Sequence, residues 1–151
     1  MQRRVMMIAF HFPPLQGSSG LHRTVSFSRY LRELGWDATV LTVRSSTYGN
    51  VRSDNERLIP DHVNVVRSWA LDAQKSLSFR GRYLKITQVP DRWQSWFVPG
   101  VLAGLRTLRR QRIDAIFSTF PIATAHLVGL TLHRLTRLPW VADFRDPMAQ
   151  V

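Results

Sequence analysis

Phe12-Pro13-Pro14-Leu15-Gln16-Gly17-Ser18-Ser19-Gly20 separates an apolar run, Val5 to Phe10, from a segment with helical periodicity, Leu21 to Leu34. A continuous apolar run bounded by Arg3-Arg4 and two prolines reads as a strand buried on both faces. A chain that leaves such a strand through prolines and enters a helix through glycines makes a crevice lined by backbone. Glycine lets the main chain approach a ligand closely, and the amides of a helix's first turn, with its dipole, favour an anion there. Gly17, Ser18, Ser19 and Gly20 are therefore candidate ligand contacts, against the plainer reading of a turn that only reverses direction.

Working outward, Val25, Tyr30, Leu31 and Leu34 give the helix a core stripe, and Gly35 is placed to stop it. Trp36 to Val43 is the second strand. Strand, helix and strand in about forty residues form a βαβ unit, which is right-handed and makes the strands parallel. Ser45 to Pro60 is polar and expected to run over the ligand-facing edge of the sheet. Val63 to Trp69 reads as a third strand, and the pattern dissolves from Ala70 to Pro90. Trp96 to Arg112 is helical, with Phe97, Val101, Leu105 and Leu108 in one stripe, Val98 and Leu102 beside it, and Pro99 tolerable in the first turn. Asp114 to Thr119 is a strand. Pro121, at a position where proline is pre-organised, opens a helix that runs to about Leu138, and Trp140 to Phe144 is a fifth strand. Strands alternating with helices predict an α/β, doubly wound, Rossmann-like parallel sheet of order 3-2-1-4-5, as one domain over residues 1–151.

Composition bounds the function. A hydrophobic fraction of 44% is ordinary for a globular domain, and no apolar run reaches the eighteen or so residues that cross a bilayer. The first ten residues have the order of a signal peptide but pass into His11 and prolines, so they read as the first strand. No cysteine is present, which excludes thiolate metal sites and disulfides and fits a cytoplasmic protein. The net charge of +11 is almost wholly arginine, Lys75 and Lys85 being the only lysines. It suits phosphorylated substrates, an anionic membrane surface or nucleic acid, or else reflects an arginine-rich genome. Aromatic residues are not interleaved with arginines as a stacking platform, which argues against nucleic acid. Arg106, Arg109, Arg110 and Arg112 complement the negative end of their helix or meet acidic phospholipid.

In an open parallel sheet, ligands lie outside the carboxyl ends of the strands, where the strand order reverses. The Gly17–Gly20 loop, Ser118-Thr119 and Asp143-Phe144-Arg145-Asp146 all follow strands and are expected on one rim, with His11, His22, Arg23 and His126. Two carboxylates and a guanidinium leaving a buried strand are either paired together or used on a ligand. The glycine loop lacks the lysine of a nucleoside-triphosphate P-loop, and His-Glu-x-x-His metal spacing is absent. Arg44 at the end of strand two suits a 2′-phosphate, so an NADP-binding module is the rival reading.

Phe12-Pro13-Pro14, Gly17-Ser18-Ser19-Gly20, Arg23, Gly35-Trp36, Pro90-Asp91, Ile116 to Thr119, His126-Leu127 and above all Pro139 to Pro147 resemble the amino-terminal domain of family 4 glycosyltransferases. The chain is similar to the subgroup with an Asp-Phe-Arg-Asp-Pro-Trp signature, with Met148 in place of the tryptophan. The resemblance implies a GT-B architecture of two Rossmann-like domains. The first binds a saccharide or lipid-linked acceptor; the second, absent from this chain, binds a nucleotide-diphosphate sugar and carries a glutamate pair. It implies retention of anomeric configuration with no metal or cofactor, no activity from this half alone, and work on cell-envelope polysaccharides, peripheral to the inner membrane face. The Gly17–Gly20 amides would stabilise the leaving diphosphate. Arg145-Asp146 stands where many members have a histidine, so Asp146 or Asp143 is the expected acceptor-orienting catalytic group. His11, His22, Arg23, Ser118, Thr119, His126 and Arg145 would line the acceptor site.

Overall fold

A computed structural model describes residues 2–72 and 91–144. Five strands, β1 (Arg3–Ile8), β2 (Trp36–Val43), β3 (Asn64–Ser68), β4 (Ala115–Thr119) and β5 (Trp140–Asp143), form a sheet ordered β3-β2-β1-β4-β5. Every pairing is parallel. Among the described residues three α-helices flank it: α1 (Ser19–Tyr30), α2 (Phe97–Arg110) and α3 (Ala123–Thr136). This is the doubly wound α/β arrangement expected from the alternation of elements. Among the described residues no helix is long and apolar enough to cross a membrane.

The side-chain period of two divides the sheet's apolar residues between two cores. Val5 and Met7 of β1 join Ala38, Val40 and Val25 on the α1 side. Met6 and Ile8 join Leu41, Ile116, Val128 and Leu132 on the α2–α3 side, with Trp96 fully buried. On that side the two helices touch closely: a Cβ at Gly104 would stand 2.6 Å from Leu132 Cδ1. A methyl there would force Leu132 to move.

Several details differ from the expectation. β1 ends at Ile8, although Ala9 still donates to the Leu41 carbonyl at 3.1 Å. The α1 stripe is Leu21, Thr24, Val25 and Ser28, whereas Tyr30 and Leu34 are 57% and 75% exposed. Tyr30 closes α1 about 140° around the helix from Val25, and Leu34 lies in the 3₁₀ turn Leu31–Leu34, whose tighter pitch carries it off the stripe while Leu31 stays packed on the core. Gly35, at φ 79°, then reverses the chain in a conformation that a side chain rarely adopts. Tyr30 and Leu34 instead wall an open apolar groove of about 520 Å³ over Val5, Met7 and Phe117.

On α2, Val98 and Leu102 face outward, while Pro99 sits in the first turn as expected. Pro121 does not open α3. It follows a cis peptide bond, and the helix starts at Ala123 and ends at Thr136, with Arg137 left-handed at φ 61°. The unpatterned stretch is described only at residues 70–72; residues 73–90, which hold most of it, lie outside the described residues.

Candidate functional site

The crevice after β1 is built from behind. Phe10 is buried, its ring 4.7 Å from Trp93, 5.4 Å from Trp96 and 5.9 Å from Tyr48. Burying such a ring contributes about 1.5–3 kcal/mol. The Tyr48 hydroxyl donates to the Phe10 carbonyl and accepts from the Phe12 amide at 3.3 Å. Burial pushes the Tyr48 phenol above its usual range, so it stays a donor. Arg67 donates to the Pro13 carbonyl and, at 3.1 Å, to that of Val43; Asn55 donates to the Leu15 carbonyl at 2.8 Å. The polar excursion after β2 is stitched to the same loop by Gln16 N–H to the Asn50 carbonyl (3.0 Å) and Arg52 N–H to that of Pro14 (2.9 Å). It docks on the loop, as a cover for the ligand-facing edge should.

Forward of these ties the loop is open. Gly17 takes φ 79° and is exposed; Ser18 is the extended residue before α1. Its hydroxyl makes no capping bond to the helix and instead pairs with His11 Nδ1 at 2.8 Å. No acidic residue stands in the first turn of α1, so the positive end of its dipole meets no acid of its own.

The exits of β4 and β5 meet that helix through charge. Arg23, in the second turn of α1, donates twice to Asp143, at 3.0 and 2.9 Å, and the Thr119 hydroxyl donates to Asp143 Oδ2 at 2.9 Å. This fork-to-fork pair joins residues 120 positions apart. Half-exposed as Arg23 is, solvent screening keeps the pair near 1 kcal/mol or less, so its value lies in geometry. Both carboxylate oxygens of Asp143 hold Arg23; the ion pair expected from Arg145 to Asp143 or Asp146 lies outside the described residues.

Beside that pair, Trp140 Nε1 donates to Ser118 Oγ at 2.8 Å, and Ser118 Oγ pairs with His126 Nδ1 at 2.8 Å. Gly129 makes this possible: a Cβ there would stand 2.7 Å from Trp140 Nε1 and 3.1 Å from Ser118 Oγ. His126 is 6% exposed and stacks on Phe144, 4.4 Å away, and on Phe120. Burial holds its pKa below the usual histidine range, partly offset by the Asp143 charge. The α3 front is filled from outside the helix: Asp91 accepts from the Thr124 amide at 2.7 Å and hydroxyl at 2.9 Å.

The structure thus brings Arg23, Asp143 and Thr119 into one contact, Ser118 and His126 into a second, and His11 and Ser18 into a third, on the exits of β1, β4 and β5. Gly17, Ser19 and Gly20 lie on the same loop. His22 is exposed on α1 and joins none of these contacts. Arg145 and Asp146 lie outside the described residues. Asp91, Tyr48, Arg67 and Phe120 were not singled out from the sequence as site residues. Asp91 acts across 33 residues and Arg67 across 54, and no local spacing marks such ties. Among the described residues no three His, Asp or Glu side chains cluster to hold a metal. The arginines of the α2 end are elsewhere: Arg106 and Arg110 line a polar groove of about 420 Å³ beside β3.

Chemically, this rim offers backbone donors, one oriented guanidinium and one buried imidazole, an arrangement suited to an oxygen-rich ligand. No protein-family model matches the chain, and no curated protein does. Solved structures that resemble it in fold include two of different kinds. The C-terminal domain (residues 78–226) of a hydrogenase from Pyrococcus furiosus aligns with TM-score 0.55 and 13% identity, over 94% of this chain and 91% of that one. UGT2 of Phytolacca americana, in complex with UDP-2-fluoro-glucose and pterostilbene, aligns with TM-score 0.59 and 14% identity, over 94% of this chain but 30% of that one. At such identities the likeness is one of fold: a Rossmann-like α/β unit that also occurs as part of a glycosyltransferase.

Proposed function

We propose that this chain is the acceptor-side half of a retaining glycosyltransferase of GT-B type, similar to family 4, that moves a sugar from a nucleotide-diphosphate sugar to a saccharide or lipid-linked acceptor. The observation that carries the reading is the bidentate Arg23–Asp143 contact, which locks the glycine-loop helix to the exit of β5 and makes one rim of three distant segments. The likeness of fold to a glycosyltransferase unit supports it.

In this reading the Gly17–Gly20 amides face the leaving diphosphate, held across the cleft by a second domain. Asp143 orients Arg23, and Asp146 orients the acceptor hydroxyl. His11, Ser118, Thr119 and His126 shape the acceptor side, and the arginine-rich surface favours approach to an anionic membrane face where lipid-linked acceptors reside. No metal or other cofactor has a part in it.

The test is a transfer assay with a panel of nucleotide-diphosphate sugars, on the chain alone and with a nucleotide-sugar domain supplied in cis. Transfer is expected only from the two-domain protein, and Asp146→Asn is expected to lower its turnover about tenfold or more, roughly the loss of one acid–base contribution. Full turnover in that variant removes Asp146 from the site. Tight NADPH binding by the chain, read by cofactor fluorescence, would favour the NADP module instead.

A further inference from the structure

Nε2 of His126 is a buried polar atom with no hydrogen-bond partner among the described residues. Buried polar groups are nearly always paired, and each exception calls for an explanation. The bonds around the ring settle which atom carries its proton. The indole Nε1–H of Trp140 can only donate, so it occupies one lone pair of Ser118 Oγ. Ser118 is fully buried, and among the described residues the one other group its hydroxyl meets is His126 Nδ1. The hydroxyl proton is satisfied only if Nδ1 accepts it. A neutral ring that accepts at Nδ1 carries its hydrogen on Nε2. The relay therefore runs from Trp140 through Ser118 to His126, and the unpartnered atom at its end is a donor.

The surroundings of that donor select what it takes. The ring is stacked on Phe144, the first residue past β5, which is 55% exposed, so the imidazole lies just inside the rim. Asp143 is close enough to act on His126 electrostatically, and its charge is matched by the bidentate bond from Arg23. An anionic ligand would add a charge beside a carboxylate whose cation is already engaged. A neutral hydroxyl oxygen would accept the hydrogen bond without that cost.

We propose that His126, neutral and protonated on Nε2, donates a hydrogen bond to a hydroxyl oxygen of a pyranoside at this rim, and so holds the ligand without serving as its base. With Nε2 protonated and the Nδ1 lone pair engaged by Ser118, the ring has no free lone pair to remove a proton. The choice of a pyranoside rests on the acceptor-site reading above; the direction of the bond does not.

The experiment is long-range ¹H–¹⁵N correlation on the full chain labelled in histidine, with His126 assigned by its loss in His126→Phe. The expected neutral tautomer is Nε2–H. Ser118→Ala, which frees Nδ1, is expected to give a mixture of tautomers, and it keeps the test open should His126→Phe not fold. Methyl glycosides of glucose, galactose, mannose and N-acetylglucosamine are then titrated, with inorganic pyrophosphate beside them. At least one glycoside is expected to move the His126 Nε2 signal saturably and to bind about tenfold more weakly to His126→Phe; should that variant not fold, Ser118→Ala is expected to weaken the same glycoside in proportion to the Nε2–H population it loses, read in the same spectra. An Nδ1–H tautomer overturns the proposal, as does a signal that no glycoside moves or that pyrophosphate alone moves. A chain that binds a glycoside this way but transfers no sugar when the second domain is supplied keeps the His126 assignment and discards the transferase reading. Sugar transfer with an unmoved His126 signal does the reverse.

Discussion

Helices α1 and α3 both begin at the carboxyl edge of the sheet, one after β1 and one after β4, and they treat their first turns in opposite ways. At α3 a carboxylate from a distant segment, Asp91, accepts from the Thr124 amide and hydroxyl. At α1 the residue in the capping position, Ser18, turns its hydroxyl to His11, and no acid stands in the first turn. One positive helix end is closed by the protein's own anion; the other has no acid in its own first turn, where the field is worth about 0.3–1 kcal/mol to a charge placed there. The contrast separates a helix anchored for structure from one whose front faces the crevice, and it reserves α3's contribution to the site for a side chain, His126.

The anchored character of α3 is broken most severely at Gly129. In Gly129→Ala the new methyl would stand 2.7 Å from Trp140 Nε1 and 3.1 Å from the fully buried Ser118 Oγ, which are hydrogen-bonded to each other. A loss of about 2–3 kcal/mol is expected, near the upper end for overpacking, together with loss of the Nε2–H tautomer at His126. Urea unfolding measures the first. A loss below about 0.5 kcal/mol would show that α3 can shift on the sheet and is less anchored than α1.

Next in size is Asp91→Ala, which leaves the Thr124 amide, the Thr124 hydroxyl and the Trp93 amide, 2.7 Å from Asp91 Oδ1, without their acceptor. The cost should be about 1–2 kcal/mol, as for a lost cap, and Asp91→Asn should restore part of it because an amide oxygen still accepts. Equal losses in the two variants would assign the effect to charge at the helix end rather than to the hydrogen bonds.

What was legible in the sequence follows from range. β1 carries a double-buried apolar run, and β2 and β4 are rich in β-branched and aromatic residues, so such strands declare themselves over five or six neighbours. Their order then follows from right-handed crossovers, so the rim could be located before any coordinate. Contacts that depend on the whole fold were not legible. Asp143 reads locally as a partner for Arg145, and no local signal points to the Arg23 that it holds, whose approach is set by the β1–β4–β5 neighbourhood. Pro121 reads as the first residue of a helix, yet the helix starts two residues later, at Ala123. Leu34 lost its place in the core to a four-residue change of helical pitch, and Tyr30 to its position around α1 from Val25. His126 was visible as a rim histidine, but its buried, unpartnered Nε2 depends on Trp140 and Ser118 arriving from two strands.

The smallest effect is the sharpest test of the contrast. If Ser18 were an ordinary capping residue, Ser18→Ala would cost α1 about 1 kcal/mol, the usual loss for removing a side-chain oxygen at that position. Its oxygen caps nothing here: it lies 2.8 Å from His11 Nδ1, and both residues are only partly buried, so water can replace either partner. Ser18→Ala should therefore change the unfolding free energy by less than about 0.5 kcal/mol, well below Asp91→Ala at the other helix. The histidine should register the change more than the fold does, as a shift of the His11 ring signals in the same ¹H–¹⁵N spectra. A cost of 1 kcal/mol or more with the His11 signals unmoved would mean that the hydroxyl closes α1 in solution as Asp91 closes α3, and the two helix fronts would no longer differ.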